Sequence, residues 1–170
     1  TLDNVPDLNA AKGVCGIKVF MGSSTGTLLV DDQTALERIF GETDSERVIA
    51  LHCEDETRIR ERSKIFADRN DIAAHSLVRD NETARIATAR AMELAVRHRH
   101  RTHILHVSAA EECALLRKRA AWITAECTPH HMLFCVDDYA RLGARLKVNP
   151  PVKSRTDSEA LWAALKDGSI

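Results

Sequence analysis

Four short apolar runs constrain this 170-residue chain more than any other feature of it. They cover residues 14–21, 47–55, 102–108 and 122–131, and helical segments separate them. Runs this short and this continuously apolar read as buried strands with helices on both faces of the sheet. Strand–helix–strand alternation then implies parallel strands joined by right-handed crossovers. Each run also carries a polar residue at or near its C-terminal end: Lys18, His52, His106, and the pair His130 and His131. In a parallel α/β sheet those ends share one rim, so residues far apart in sequence can converge on one site.

The segments between the runs fit this reading. Asp31 or Asp32 can cap a helix through Leu36, Ile39 and Phe40, with Gly41 as its stop. A polar helix is expected from Asp55 to about Asp68, and a long one from about Asn81 to His98, with Ile86, Ala89, Met92 and Val96 as its apolar stripe. Ser108 and Glu111 have the spacing of a capping box for a helix ending near Arg119. A short helix over 137–142, a strand end at 146–148 and a helix from Thr156 to Asp167 stopped by Gly168 complete the chain. Residues 1–170 read as a single domain without repeats or linkers. A closed (β/α)8 barrel takes about 250 residues. Four strand–helix units therefore make either a small open α/β sheet or part of such a barrel.

A net charge of −1 and an aromatic content of 4% argue against nucleic acid or an anionic membrane as partner. No apolar run is long enough to span a bilayer, and residues 1–4 show no signal-peptide pattern. The five cysteines (15, 53, 113, 127 and 135) form no C-x-x-C pair and read as reduced structural thiols of a cytoplasmic protein.

A lysine inside an apolar strand needs an explanation, because an unpaired buried ammonium is expensive. Lys18 can form a salt bridge, snorkel at the strand end, carry a depressed pKa, or be modified; a neutral amine can take up carbon dioxide as a carbamate. His52 and His106 on successive strands are candidate metal ligands or hydrogen-bonded polar residues. His103 lies three residues before His106, so strand parity sends it to the opposite face, toward packing or a helix-facing hydrogen bond. His98 and His100 sit among arginines in a basic turn at a helix end. His130 and His131 cannot both point inward, and fixing the nearby loop is the simplest role for them. The loop from Gly22 to Thr27 either contacts a substrate or merely turns the chain.

Five strings together resemble the amidohydrolase superfamily, and within it dihydroorotase of the bacterial type. They are Gly16-Ile17-Lys18-Val19-Phe20-Met21-Gly22-Ser23-Ser24, Leu51-His52-Cys53-Glu54-Asp55, Ile104-Leu105-His106-Val107-Ser108, Thr128-Pro129-His130-His131 and Val148-Asn149-Pro150-Pro151. Dihydropyrimidinases and allantoinases share the lysine and both histidines, but typically have His-Ala-Glu-Asn where this chain has His52-Cys53-Glu54-Asp55.

The resemblance implies a partial (β/α)8 TIM-type barrel of about four parallel units with a metal centre at its C-terminal rim. Lys18 matches a carboxylated lysine that bridges two zinc ions, His52 and His106 match ligands of one of them, and Asn149 matches a contact to the substrate ring. The implied reaction is metal-dependent opening and closing of a cyclic amide, interconverting dihydroorotate and N-carbamoyl-aspartate in pyrimidine biosynthesis. A dihydropyrimidinase- or allantoinase-type hydrolase and a catalytically dead, dihydroorotase-like scaffold are the alternatives. The family's His-x-His motif and its proton-shuttle Asp find no match here, so the first strands and the last strand of the barrel are expected to lie outside this chain. The chain alone is then expected to be inactive, with open sheet edges that invite self-association.

Overall fold

The structure is a computed structural model that describes residues 4–24 and 28–170. Four strands, β1 (Gly16–Phe20), β2 (Val48–His52), β3 (Thr102–Ile104) and β4 (Ile123–Ala125), form one parallel sheet in the order of the sequence. The N-terminal helix α1 (Val5–Ala10) precedes β1, and α2 (Gln33–Glu42) connects β1 to β2. Three helices, α3 (Glu56–Ile65), α4 (Ala74–Val78) and α5 (Asn81–Arg97), separate β2 from β3, and α6 (Ala110–Leu116) joins β3 to β4. Beyond β4 lie α7 (Pro129–Leu133), α8 (Tyr139–Leu142) and α9 (Arg155–Asp167). Among the described residues no helix is long and apolar enough to cross a membrane.

The pleat sorts the strand residues into two faces. Val19, Leu51 and Ile104 are register partners and are all buried beneath the helices, as are Ile17, Ile49, Thr102 and Ile123 one row earlier. The opposite face presents the row Lys18, Ala50, His103 and Thr124, which is half-buried or exposed. The β1 edge is partly covered: Phe20 bridges to Leu29, and the Val30 amide donates to the Phe20 carbonyl at 2.7 Å.

Several local expectations change on inspection. Gly41 does not stop α2; the helix runs past it to a cap at Thr43. Asp32 starts it by accepting the Ala35 amide at 2.8 Å, and Leu36, Ile39 and Phe40 bury its inner face. With no side chain at Gly41, the His98 ring comes within ordinary contact distance of where a Cβ would stand, 3.6 Å.

In α5 the buried face is Ala84, Ala87, Thr88, Ala91, Leu94 and Ala95, whereas Val96 is 51% exposed and Ile86 and Met92 are half-buried. Small residues line the close contact with neighbouring elements, so the larger apolar residues fall at the margin of the packed face. The cap of α6 lies one residue later than expected, at Ala109, with Glu112 instead of Glu111 accepting the amides of Ser108 and Ala109 at 2.9 and 3.0 Å.

Residues 146–148 are not a strand end. A 3-10 turn at Gly143–Leu146 leads into an irregular loop with a cis Asn149-Pro150 peptide bond. Tyr139, Leu146 and Val152 make a second small core there, against Ile72, Ala73 and Val148 among others. Ser76 ties it down, sharing a 2.8 Å hydrogen bond with the Tyr139 hydroxyl and donating to the Val152 carbonyl at 2.9 Å.

Candidate metal centre and adjoining cleft

His52 closes β2 on the same face as Lys18 and Ala50, in register with Phe20. His106 follows β3, and strand parity would turn its side chain toward the helices. Instead its backbone is left-handed, with φ +40°, a conformation uncommon outside glycine. That single twist brings its ring onto the rim, where Nε2 lies 3.1 Å from Nδ1 of His52 and the rings meet edge-on at 79°. The conformation is held from behind: the Val107 amide donates to the Glu126 carbonyl at 2.8 Å, and Glu112 grips the two amides after it.

Burial, reinforced by the nearby His52 and Lys18, pushes the pKa of His106 down to about 3, so the ring is neutral near pH 7. His103 does not turn toward the helices as expected: it lies on the Lys18 face, and the twist at His106 brings the His106 ring to the same side. His103 bonds Thr124 Oγ1 at 2.7 Å and lies 3.4 Å from Glu126.

Lys18 is exposed as a residue, contrary to the buried strand lysine expected from its apolar flanks. Its amine lies over the Phe20 ring, 4.6 Å from the centroid. Crowding around the ammonium lowers its pKa, partly opposed by Cys53 and Glu126. The structure thus brings His52 and His106 together and puts Lys18 on the adjoining strand one row below, directed at Phe20.

The donor set can be tested against a metal. Two imidazole nitrogens on one tetrahedral zinc, at about 2.05 Å each, stand about 3.3 Å apart. The observed 3.1 Å is close to that, and His106 is uncharged as a ligand must be. His52 and His106 therefore fit as a ligand pair. Among the described residues no group of three or more His, Cys, Asp and Glu side chains is gathered for a metal.

The carboxylate beside this pair went unassigned in the sequence. Glu54 is fully buried, with Oε2 2.9 Å from His52 Nε2, although the ring N–H points too far off line for a hydrogen bond. Arg79 donates from Nη1 to the same oxygen and from Nη2 to the Ser23 carbonyl, and Lys153 donates to the Arg79 carbonyl. Burial alone would raise the Glu54 pKa; His52, Arg79 and Lys153 outweigh it and hold the pKa below the usual value. Gly22 makes this assembly possible, since a Cβ there would stand 2.5 Å from the Glu54 carbonyl oxygen. The only sequence signal for Glu54 was an acid two residues beyond a strand-end histidine.

Asn149 lines a cleft of about 750 Å³ with Ser23, Arg69, His75, Arg79 and Lys147. Its Oδ1 is buried without a hydrogen-bond partner. Neither imidazole of the pair lines this cleft, nor does Lys18; Ser23 and Arg79 connect it to Glu54 and so to His52. The loop carrying Asn149 is fixed by histidines. His75 Nε2 lies 2.8 Å from the Val148 carbonyl, and the buried His131 donates from Nε2 to the Pro150 carbonyl at 2.8 Å. The Thr128 hydroxyl donates to His131 Nδ1 at 2.7 Å and accepts from His130 Nε2 at 3.0 Å. His131 thus has the loop-fixing role read from the sequence. Burial pushes its pKa down to about 4. His98 and His100 precede β3, at the opposite end of the strands from the rim, with His98 2.6 Å from Glu37. Of the 22–27 loop, residues 25–27 lie outside the described residues.

No protein-family model matches the chain. Dihydroorotase of Methanosarcina acetivorans is 31% identical over 162 residues, and that of Geobacillus thermodenitrificans 40% over 129 residues, covering 90% and 72% of this chain. Allantoinase of Rubrobacter xylanophilus is 34% identical over 176 residues, covering 95% of the chain. The alignments span 35%, 29% and 37% of those proteins, so the chain corresponds to about a third of the length of its curated relatives. Among solved structures, L-hydantoinase (dihydropyrimidinase) from Arthrobacter aurescens superposes with a TM-score of 0.89 at 28% identity, over 99% of this chain and 39% of that one. A D-hydantoinase crystal structure superposes at 0.87 with 24% identity, which speaks for the fold alone. These neighbours are TIM-type barrels, and the four parallel strands here are a consecutive part of that architecture.

Proposed function

Because the chain is a dihydroorotase-like segment of the amidohydrolase superfamily, we propose that His52 and His106 are two ligands of a divalent metal and that Lys18, as its carbamate, is a third. The observation that carries this reading is the 3.1 Å approach of His52 Nδ1 to His106 Nε2, created by the left-handed backbone at His106. Residues 1–170 would then form one partial barrel domain contributing half of a metal-dependent cyclic amidohydrolase site.

A bound zinc ion would supply Lewis-acid polarisation of a cyclic amide carbonyl. The chain's own residues hold and orient. The neutral ring of His106 offers a lone pair without first losing a proton. The Lys18 amine, its pKa lowered by crowding, forms an N–C bond to carbon dioxide with release of one proton. The unpartnered Oδ1 of Asn149 accepts an N–H from the substrate ring in the cleft. Lys147 adds positive charge to the same cleft, where Arg69 is paired with Asp71, and this suits the carboxylate of dihydroorotate or N-carbamoyl-aspartate. The dihydroorotase matches favour that substrate; a competing allantoinase or hydantoinase specificity draws on the allantoinase relative and the hydantoinase neighbours.

Zinc titrated into the ¹⁵N-histidine-labelled chain should shift the resonances of His52 and His106 together and raise the melting temperature, as a ligand of the folded state must. Zinc binding that leaves both rings unmoved would overturn the ligand assignment. In the zinc-loaded chain, dihydroorotate should bind at least tenfold tighter than allantoin or hydantoin by saturation-transfer NMR. The reverse order would move the reading to the competing specificity. Supplying only part of a site, the 170-residue chain should not turn over dihydroorotate; metal-dependent turnover at an enzyme-like rate would refute the half-site reading.

A further inference from the structure

We propose that Glu54, braced by Arg79, is a positioning residue that fixes the His52 ring with Nε2 toward the carboxylate and Nδ1 toward His106. The inference rests on the reading of His52 and His106 as a ligand pair and adds a residue for which that reading has no role.

Three observations carry it. First, Glu54 is fully buried and one of its two oxygens, Oε1, has no hydrogen-bond partner, so a merely structural carboxylate at this position would be poorly satisfied. Its other oxygen is the one that matters: Oε2 faces His52 Nε2 at 2.9 Å while receiving the Arg79 guanidinium. Second, the carboxylate cannot drift. Arg79 is anchored to the Ser23 carbonyl beyond β1, and its own carbonyl receives the Lys153 ammonium from the loop before α9. The backbone at Gly22 closes on Glu54 with no room for a side chain. Three rim loops thus converge on one carboxylate. Third, the ring of His52 has only two edges: Nε2 stands 2.9 Å from the Glu54 carboxylate, off line for a hydrogen bond but close enough that a second lone pair there would be repelled, and Nδ1 faces His106, where the ligand spacing is found.

A carboxylate behind a ligating histidine sets which nitrogen keeps its proton and how the ring is aimed. Here that sets His52 as the Nε2–H tautomer before any metal arrives. It also ties the cleft to the ligand pair, since Arg79 and Ser23 line the cleft and hold Glu54.

The test reads the tautomer directly. Long-range ¹H–¹⁵N correlation spectra of the metal-free chain near pH 7.5 should show His52 as the Nε2–H form alone. Glu54→Gln keeps an acceptor oxygen and should preserve that form. The double variant Glu54→Ala with Arg79→Met removes both partners, so that the Arg79 guanidinium is not left unpaired, and should give a mixture of tautomers. Cobalt(II) affinity, followed by its visible absorption, should fall 10- to 100-fold in the double variant and less in Glu54→Gln.

An Nδ1–H His52 in the native chain overturns the inference, whether or not any variant folds. So does a folded double variant that retains pure Nε2–H. Should the tautomers behave as expected while neither cobalt nor zinc binds His52 and His106, the positioning role stands and the metal reading falls.

Discussion

Glu112 is the support on which the geometry at His106 depends, and its removal has a calculable cost. Its Oε2 accepts the Ser108 and Ala109 amides at 2.9 and 3.0 Å, and its Oε1 accepts the Thr88 hydroxyl at 2.7 Å. Glu112, Ser108 and Ala109 are all at most 2% exposed, so water cannot replace the carboxylate. In Glu112→Ala two buried N–H donors lose their partner, at about 1–3 kcal/mol each, for a gross loss of about 2–6 kcal/mol. Part returns because the native carboxylate is itself costly to bury, as its raised pKa shows.

A net loss of about 2–4 kcal/mol is expected, a fall of about 4–16 °C in melting temperature for a chain of this size. Glu112→Gln can turn its oxygen to the two amides and its NH2 to the Thr88 oxygen, and should lose less than about 1 kcal/mol. The pH dependence has a definite sign. A folded-state pKa above the unfolded one means the native chain binds more protons, so its stability falls as pH rises from the ordinary glutamate value of about 4.3 toward the raised one. Glu112→Gln lacks that slope and should gain on the native chain across the window. Urea unfolding of the three proteins at several pH values measures all of this. Glu112→Ala within about 1 kcal/mol of native, or Glu112→Gln as damaging as Glu112→Ala, would refute the capping account.

Other consequences are independent of that one. Gly22→Ala should destabilise by about 1–3 kcal/mol or more, because its Cβ would stand 2.5 Å from the Glu54 carbonyl oxygen, backbone that cannot easily retreat; thermal unfolding reads it. The folded-state pKa of His131, about 4, lies below the unfolded value of about 6.5. The unfolded chain therefore takes up the extra proton, and stability should drop as pH falls through that interval, by at most about 1.4 kcal/mol per unit from this group. His131→Gln should flatten the acid limb of a urea-midpoint profile, and an unchanged limb would show that other groups set it. Burial pushes the Cys113 thiol up to about 12 and raises Cys53 as well, whereas Cys15 is exposed. Brief alkylation of the native chain followed by peptide mass spectrometry should label Cys15 first and leave Cys53 and Cys113 intact; prompt labelling of Cys53 would contradict its burial.

The parallel sheet was legible because buried strands leave continuous apolar runs, and the rim position of His52 followed from its strand end alone. What escaped the sequence depended on contacts between segments. The stripe of α5 was placed on Ile86, Met92 and Val96 because size and hydropathy rank residues, whereas the close contact around this helix selects alanines and threonines. The cap of α6 shifted by one residue because two successive glutamates both satisfy the local pattern and only the buried Thr88 distinguishes them. Lys18 proved exposed, although the residues on either side of it are apolar: the pleat sends Ile17 and Val19 under the helices and Lys18 the other way.

His106 shows why the site was harder to read than the sheet. Period-two reasoning puts it behind the sheet, and one residue of left-handed backbone returns it to the rim beside His52. That twist is stabilised by the Glu126 carbonyl and by Glu112, neither of which has a sequence pattern that points to position 106. Such a conformation persists only where surrounding contacts over-determine it, and it concentrates at functional positions. The residue that departs from the strand rule is therefore the one through which the fold brings the two imidazoles together. A variant that restored regular strand geometry there would lose the pair while keeping the sheet.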